Sequence, residues 1–165
     1  MLKGQDIVVL AAIMGHQADE PYSELAKRAG VSASEAHAAV RRLRESGLVG
    51  ADRHVQKRNV AEFLVHGLRY AFPARQTGRV SRGLPTSYAA PVADGVFAVS
   101  GYVPVWPTSK GEICGVAMEP LYPTVPDSAS ADRTMYDCLA VFDMLRGGRL
   151  RERRFAEKVL MEKLS

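Results

Sequence analysis

The stretch GVSASEAHAAVRRLRESGLV, residues 30–49, leaves its chain few choices. Ser32 followed three residues later by Glu35 spells a capping box, in which each side chain satisfies an orphan amide at the start of a helix. Val31 and Ala36 stand where a hydrophobic staple would flank that cap. Behind it, Ala36, Ala39, Val40 and Leu43 recur at three-four spacing and define one buried face. Ser46, Gly47 and Leu48 read as a left-handed stop, with Leu48 folding back on Leu43. A helix over residues 32–46 is therefore expected, with Ser34, His37, Ala38, Arg41 and Arg42 turned outward and Arg44 near its end.

The neighbouring segments can be read around this anchor. Residues 6–16 form an apolar run with small residues, suited to a helix packed on more than one side. Ser23 is placed to cap a second helix over 24–29, whose first turn holds Glu24, and Gly30 suits a left-handed helix end. After the third helix, residues 48–50 and 55–58 read as two short strands around a turn at 51–54. A fourth helix over 59–70 would be capped by Asn59, bury Val60, Phe63, Leu64 and Leu68, and end before Pro73.

From Pro73 to Pro126 the composition shifts, for eight of the nine prolines lie there and long helices are excluded. The segment still has Tyr88, Phe97, Tyr102, Trp106 and Tyr122 to bury. Residues 96–99, 102–106 and 112–118 read as strands, the last two joined as a hairpin, whereas 80–91 reads as a loop. Helices return over 131–146, with Met135, Cys138, Leu139, Phe142 and Leu145 in one stripe, and over 149–164, with Leu150, Ala156, Val159, Leu160 and Leu164. The expected fold class is α+β, mostly helical. A winged helix-turn-helix domain over residues 1–72 precedes an accessory region over 73–165, made of a proline-rich loop and hairpin segment at 73–130 and the two C-terminal helices.

Charge separates the same regions. Residues 27–58 hold eight basic side chains against three acidic ones, which outweighs the net +4 of the whole chain. Residues 81–148 are mildly acidic, with four basic against seven acidic. A basic end next to an acidic middle suits an anionic ligand, of which nucleic acid is the commonest.

The order of elements and the segment PYSELAKRAGVSASEAHAAVRRLRESGLVG resemble the reading head of winged-helix bacterial transcription regulators of the MarR-like kind. Ala26 matches the small residue at the helix crossing, Gly30 the turn glycine and Val31 the apolar residue after it. RRLRESGLV matches the end of the recognition helix leading into the wing. The resemblance covers about residues 1–72 and implies a sequence-specific DNA-binding regulator that reads the major groove of double-stranded DNA with helix 32–46. On that reading Ser34, His37, Ala38 and Arg41 face base edges. Arg42, Arg53 and Lys57 hold phosphates, joined by Ser32 at the helix N-terminus. The alanine-rich reading face implies modest specificity with help from DNA shape.

A homodimer is expected, because one short reading helix specifies little sequence, and the apolar stripes of the last two helices, with residues 6–16, are the expected interface. The alternative reading keeps the fold without DNA: a winged-helix protein-interaction module, such as an antitoxin or adaptor, whose proline-rich half wraps a protein partner. Catalysis is not expected. The stretch VSRGLPTSYAAP lacks a nucleophile elbow, and neither a dinucleotide-binding nor a P-loop glycine pattern occurs, so no cofactor is expected. His16, His37, His54 and His66 are scattered, and Cys114 and Cys138 lack partners at ligand spacing, so no metal site is expected and both cysteines read as small buried hydrophobes. Tyr88, Trp106 and Tyr122, each close to a proline, are the candidates for a small-molecule effector pocket. No segment has the length of a membrane span or the pattern of a signal peptide, so the expected location is the cytoplasm.

Overall fold

In a computed structural model describing all residues from Met1 to Ser165, the chain opens with three helices: α1 (Gly4–Met14), α2 (Tyr22–Ala29) and α3 (Ala33–Glu45). Every residue of α1 from Asp6 to Ala12 is fully buried, which is why this stretch lacks a polar face. Pro21, not Ser23, occupies the cap position of α2, because the helix begins at Tyr22 and the proline's fixed φ suits an entry. Gly30 ends α2 at φ 70, the left-handed conformation that the sequence implied.

After α3 the chain makes one antiparallel bridge, Val49 to Val55, around a turn closed by the bond from Gly50 N to His54 O. The expected returning strand at 55–58 is thus a single pairing, since α4 (Lys57–Glu62) has already started. A π turn (Phe63–Gly67) and α5 (Leu68–Ala71) continue the same rod. Asn59 lies inside α4 instead of capping it, and its side-chain amide donates to Gly47 O at 2.8 Å, tying the rod to the end of α3.

The second region differs most from the sequence reading. Of residues 80–91, expected as loop, 80–85 belong to β1 (Gln76–Pro85). β1 pairs antiparallel with both β2 (Pro104–Pro107) and β3 (Ile113–Met118), and the three strands close on one another. β2 meets β3 in a short parallel register, Pro104 opposite Val116, so the expected hairpin is replaced by two strands that share β1. Residues 96–99 are not a strand; the segment lies between Gly95 and Gly101, both at positive φ. An unexpected helix, α6 (Val125–Ala131), accommodates Pro126 in its first turn, where proline costs no hydrogen bond.

α7 (Arg133–Gly147) is capped by Asp132, whose carboxylate accepts from Thr134 N and Met135 N. From Cys138 to Arg146 it is buried on all sides, since Ala140, Val141 and Met144 are enclosed along with the predicted stripe. α8 (Leu150–Leu164) packs Ala156, Leu160 and Leu164 against it, whereas Leu150 is exposed. The stripes proposed for dimerisation are therefore consumed inside one chain, as is α1. Cys138 is buried and Cys114 is exposed on β3, which corrects the expectation of two buried cysteines.

A single cluster of 33 apolar residues runs from Ile7 to Leu164. The composition changes at residue 72, and the core crosses that point. Polar ties cross it too: Asp132 takes His16 Nε2 at 3.1 Å and Arg28 Nε at 3.2 Å, and Thr124 Oγ1 donates to Ala29 O.

Candidate nucleic-acid interface

α3 is fixed at both ends. Ser32 Oγ accepts from Glu35 N at 3.1 Å, and a Glu35 carboxylate oxygen accepts from Ser32 N at 2.8 Å, the predicted capping box. At the other end Gly47 adopts φ 76, and Leu48 N donates to Leu43 O at 3.0 Å. Ala36, Ala39, Val40 and Leu43 are wholly buried. The side facing away carries Ser34, His37 and Arg41, all exposed, with Ala38 half-buried between them.

Arg42 does not belong to this surface. Its guanidinium forms two hydrogen bonds with Asp6, at 2.8 and 2.7 Å, and Asp6 is wholly buried in α1. Hydrogen bonding to that carboxylate raises the arginine pKa, and a cation so held is not available to a phosphate. Residue 42 follows 41 by one helical step, enough to swing it from the outer side to the α1 contact. Arg44, expected as a solvated charge, donates to Gly50 O at 3.2 Å and Ala51 O at 2.8 Å and so fixes the bridge turn against α3.

Arg41 is free by comparison. Its side chain is 72% exposed and its nearest acid, Glu45, stands at 3.9 Å, a surface pair of little energetic weight. His37 lies flat on Tyr22, with ring centroids 3.6 Å apart and planes inclined by 19°. The Arg53 guanidinium sits 4.5 Å from the centroid of the same Tyr22 ring, a cation–π contact. Arg53 has φ 63, which turns the chain so that its side chain comes back toward α2. Tyr22 is thus a site residue that the sequence reading missed. Its pairing with His37 spans two helices, and no local spacing announces it.

Lys57 and Arg58 are exposed in the first turn of α4, beside this turn, though on a helix and not on the expected strand. The turn is not wholly cationic: the His54 backbone N–H donates to Asp52 and lowers its pKa, so a negative charge stays beside Arg53. Ser32 keeps its exposed position, with its hydroxyl oxygen and its N–H both engaged in the capping box. The arrangement gathers Ser34, His37, Arg41, Arg53, Lys57 and Ser32 around one exposed helix and its adjoining turn, and it excludes Arg42.

Residues 7–53 match the IclR helix-turn-helix domain. The match takes in α1, α2, α3 and the turn after it. It supports a DNA-binding transcriptional regulator of the helix-turn-helix kind, and the likeness it carries is to the IclR type and not to the MarR-like one. No significant match was found among curated proteins or among solved structures.

The three aromatic candidates for an effector pocket are not brought together. Trp106 is buried, with its indole N–H on Asp143 at 2.8 Å and its ring 5.8 Å from that of Tyr136. Tyr122 packs half-buried against the core, and Tyr88 lines a cleft that neither of the other two enters. No group of three or more His, Cys, Asp or Glu is assembled at metal-binding geometry, and no helix is long and apolar enough to cross a membrane.

Proposed function

We propose that the protein is a transcriptional regulator that lays α3 in the major groove of double-stranded DNA. The observation that carries this reading is the uncovered side of α3. Ser34, His37 and Arg41 project from a helix pinned at both ends, inside the segment that matches a helix-turn-helix domain. Arg41 has the reach to take guanine O6 and N7, and Arg53, Lys57 and Arg58 lie where the flanking phosphates would pass. The protein acts as a homodimer in the cytoplasm, two copies of α3 reading half-sites about one helical turn apart. Surfaces other than the apolar stripes of α7 and α8 make that contact, because those stripes are enclosed. Binding and release of DNA suffice for this role, and no catalytic step is required.

The test is fluorescence anisotropy with duplex DNA recovered by selection from a random pool. Three cations per subunit, six over the dimer, give a slope of log K against log salt of about −5.4. Arg41→Ala weakens the selected site by about 1–3 kcal/mol and relaxes its preference at one base pair. Lys57→Ala, which removes one phosphate contact from each subunit, weakens all sequences alike and makes the slope shallower by about 2. A recovered palindrome supports the dimer. Absence of binding at low salt overturns the reading.

A further inference from the structure

A cleft of about 760 Å³ opens between the start of β1, the turn Ser87–Ala89, the loop after Gly95 and the beginning of α8. Its volume falls in the range of small-ligand sites. Tyr88 and Phe97 supply apolar walls, and Phe97 is held edge-on by Phe155 of α8 at 5.5 Å between centroids. Ser87, Arg149 and Arg151 supply polar ones.

The Ser87 residue is only 6% exposed, yet its hydroxyl is reached by solvent and pairs with no protein group. The adjacent Thr86, by contrast, donates its hydroxyl to Asp143 at 2.7 Å. Because the Ser87 residue lines the cleft, its unpaired hydroxyl has that space as its outlet. Arg149 and Arg151 stand at the start of α8, where the macrodipole disfavours cations, and neither has an ion-pair partner. Two carboxylates also border the cleft, and both are engaged elsewhere. Asp143 accepts from Thr86, Trp106 and Arg146, and Glu152 accepts from the backbone N–H of Arg149. Two solvent-exposed cations without an ion-pair partner and one hydroxyl free of protein partners thus line one partly apolar space.

We infer that this cleft binds a small organic anion with a planar apolar body. Arg149 and Arg151 hold its acidic group, Ser87 donates a hydrogen bond, and Tyr88 and Phe97 pack its ring. The assignment concerns residues remote in sequence from the helix-turn-helix match and does not depend on DNA binding.

The test uses 2-naphthoate as probe and neutral 2-naphthamide as control, followed by fluorescence and calorimetry on the full chain. Naphthoate binds one per chain with a Kd of about 0.1 mM, and the amide binds at least tenfold more weakly. The double variant Arg149→Gln, Arg151→Gln loses at least tenfold in naphthoate affinity while keeping its circular dichroism spectrum. Ser87→Gly suits the residue's φ of 55, so it weakens naphthoate severalfold without lowering Tm. Equal affinities for acid and amide, unchanged binding in the arginine variant, or no saturable binding below about 10 mM would each overturn the inference.

Discussion

Asp6 and Asp143 are the two buried acids of the molecule, one in each region, and their surroundings differ. Asp6 accepts from the Lys3 backbone N–H and from Arg42, whose side chain keeps 13% of its surface in water. Asp143 accepts from Thr86, Trp106 and Arg146, and the Arg146 side chain is only 4% exposed. Arg146 in turn donates to the carbonyls of Phe72, Pro73 and Glu119, so one ion pair fastens α7 to the chain entering β1 and the chain leaving β3. In the first region a buried charge orients one helix and has a way out to solvent. In the second, the charge is the hub of a closed network. The first region can lose its acid and relax, and the second cannot.

Five substitutions sharpen or break that contrast. Asp143→Ala should be the most damaging, since it strands the enclosed Arg146 cation and the Trp106 indole: about 3–5 kcal/mol of unfolding free energy, read by urea denaturation. Asp143→Asn, which keeps an acceptor oxygen, should lose less. Asp6→Ala should cost about 2 kcal/mol, because Arg42 can turn outward once released. Equal losses at the two acids would dissolve the distinction. Arg44→Ala removes two exposed hydrogen bonds to the turn and should cost about 1 kcal/mol, whereas Arg41→Ala should leave stability within about 0.5 kcal/mol and register only in DNA affinity.

The last effect is nil at neutral pH and appears only in alkali. Burial pushes the Cys138 thiol from 9.0 to about 11 and the Tyr136 phenol from 10.0 to about 12. Both groups are neutral in the folded state while the unfolded chain would already ionise them. Their contribution is therefore complete below about pH 9 and is lost as pH rises through the folded values. Unfolding free energy should hold level to about pH 9 and then decline, and Cys138→Ala with Tyr136→Phe should flatten that decline.

The same contrast explains what could be read in the sequence. The helix-turn-helix region is written in short-range signals: Ser32 with Glu35, Gly30, Gly47, and the spacing of Ala36, Ala39, Val40 and Leu43, each of which the structure uses as expected. What failed there depended on distance, for Arg42 finds Asp6 36 residues away and Tyr22 meets His37 across a helix pair. In the second region nearly everything is long-range. β1 shows no alternation, since its first five residues are all exposed, so its period gave no strand signal. α6 was hidden because Pro126 stands in its first turn, where proline is tolerated. The burial of α7 beyond its apolar stripe was not legible because it takes in Ala140, Asp143 and Arg146, small or charged residues that only the folded network justifies.

The apolar interior shared by Ile7 and Leu164 has one further consequence. The reading head is not a detachable cassette. Cut after Ala71, it would present Val8, Leu64 and Leu68 as a raw seam, and grafted onto another protein it would need a substitute for α7 before it could hold its shape.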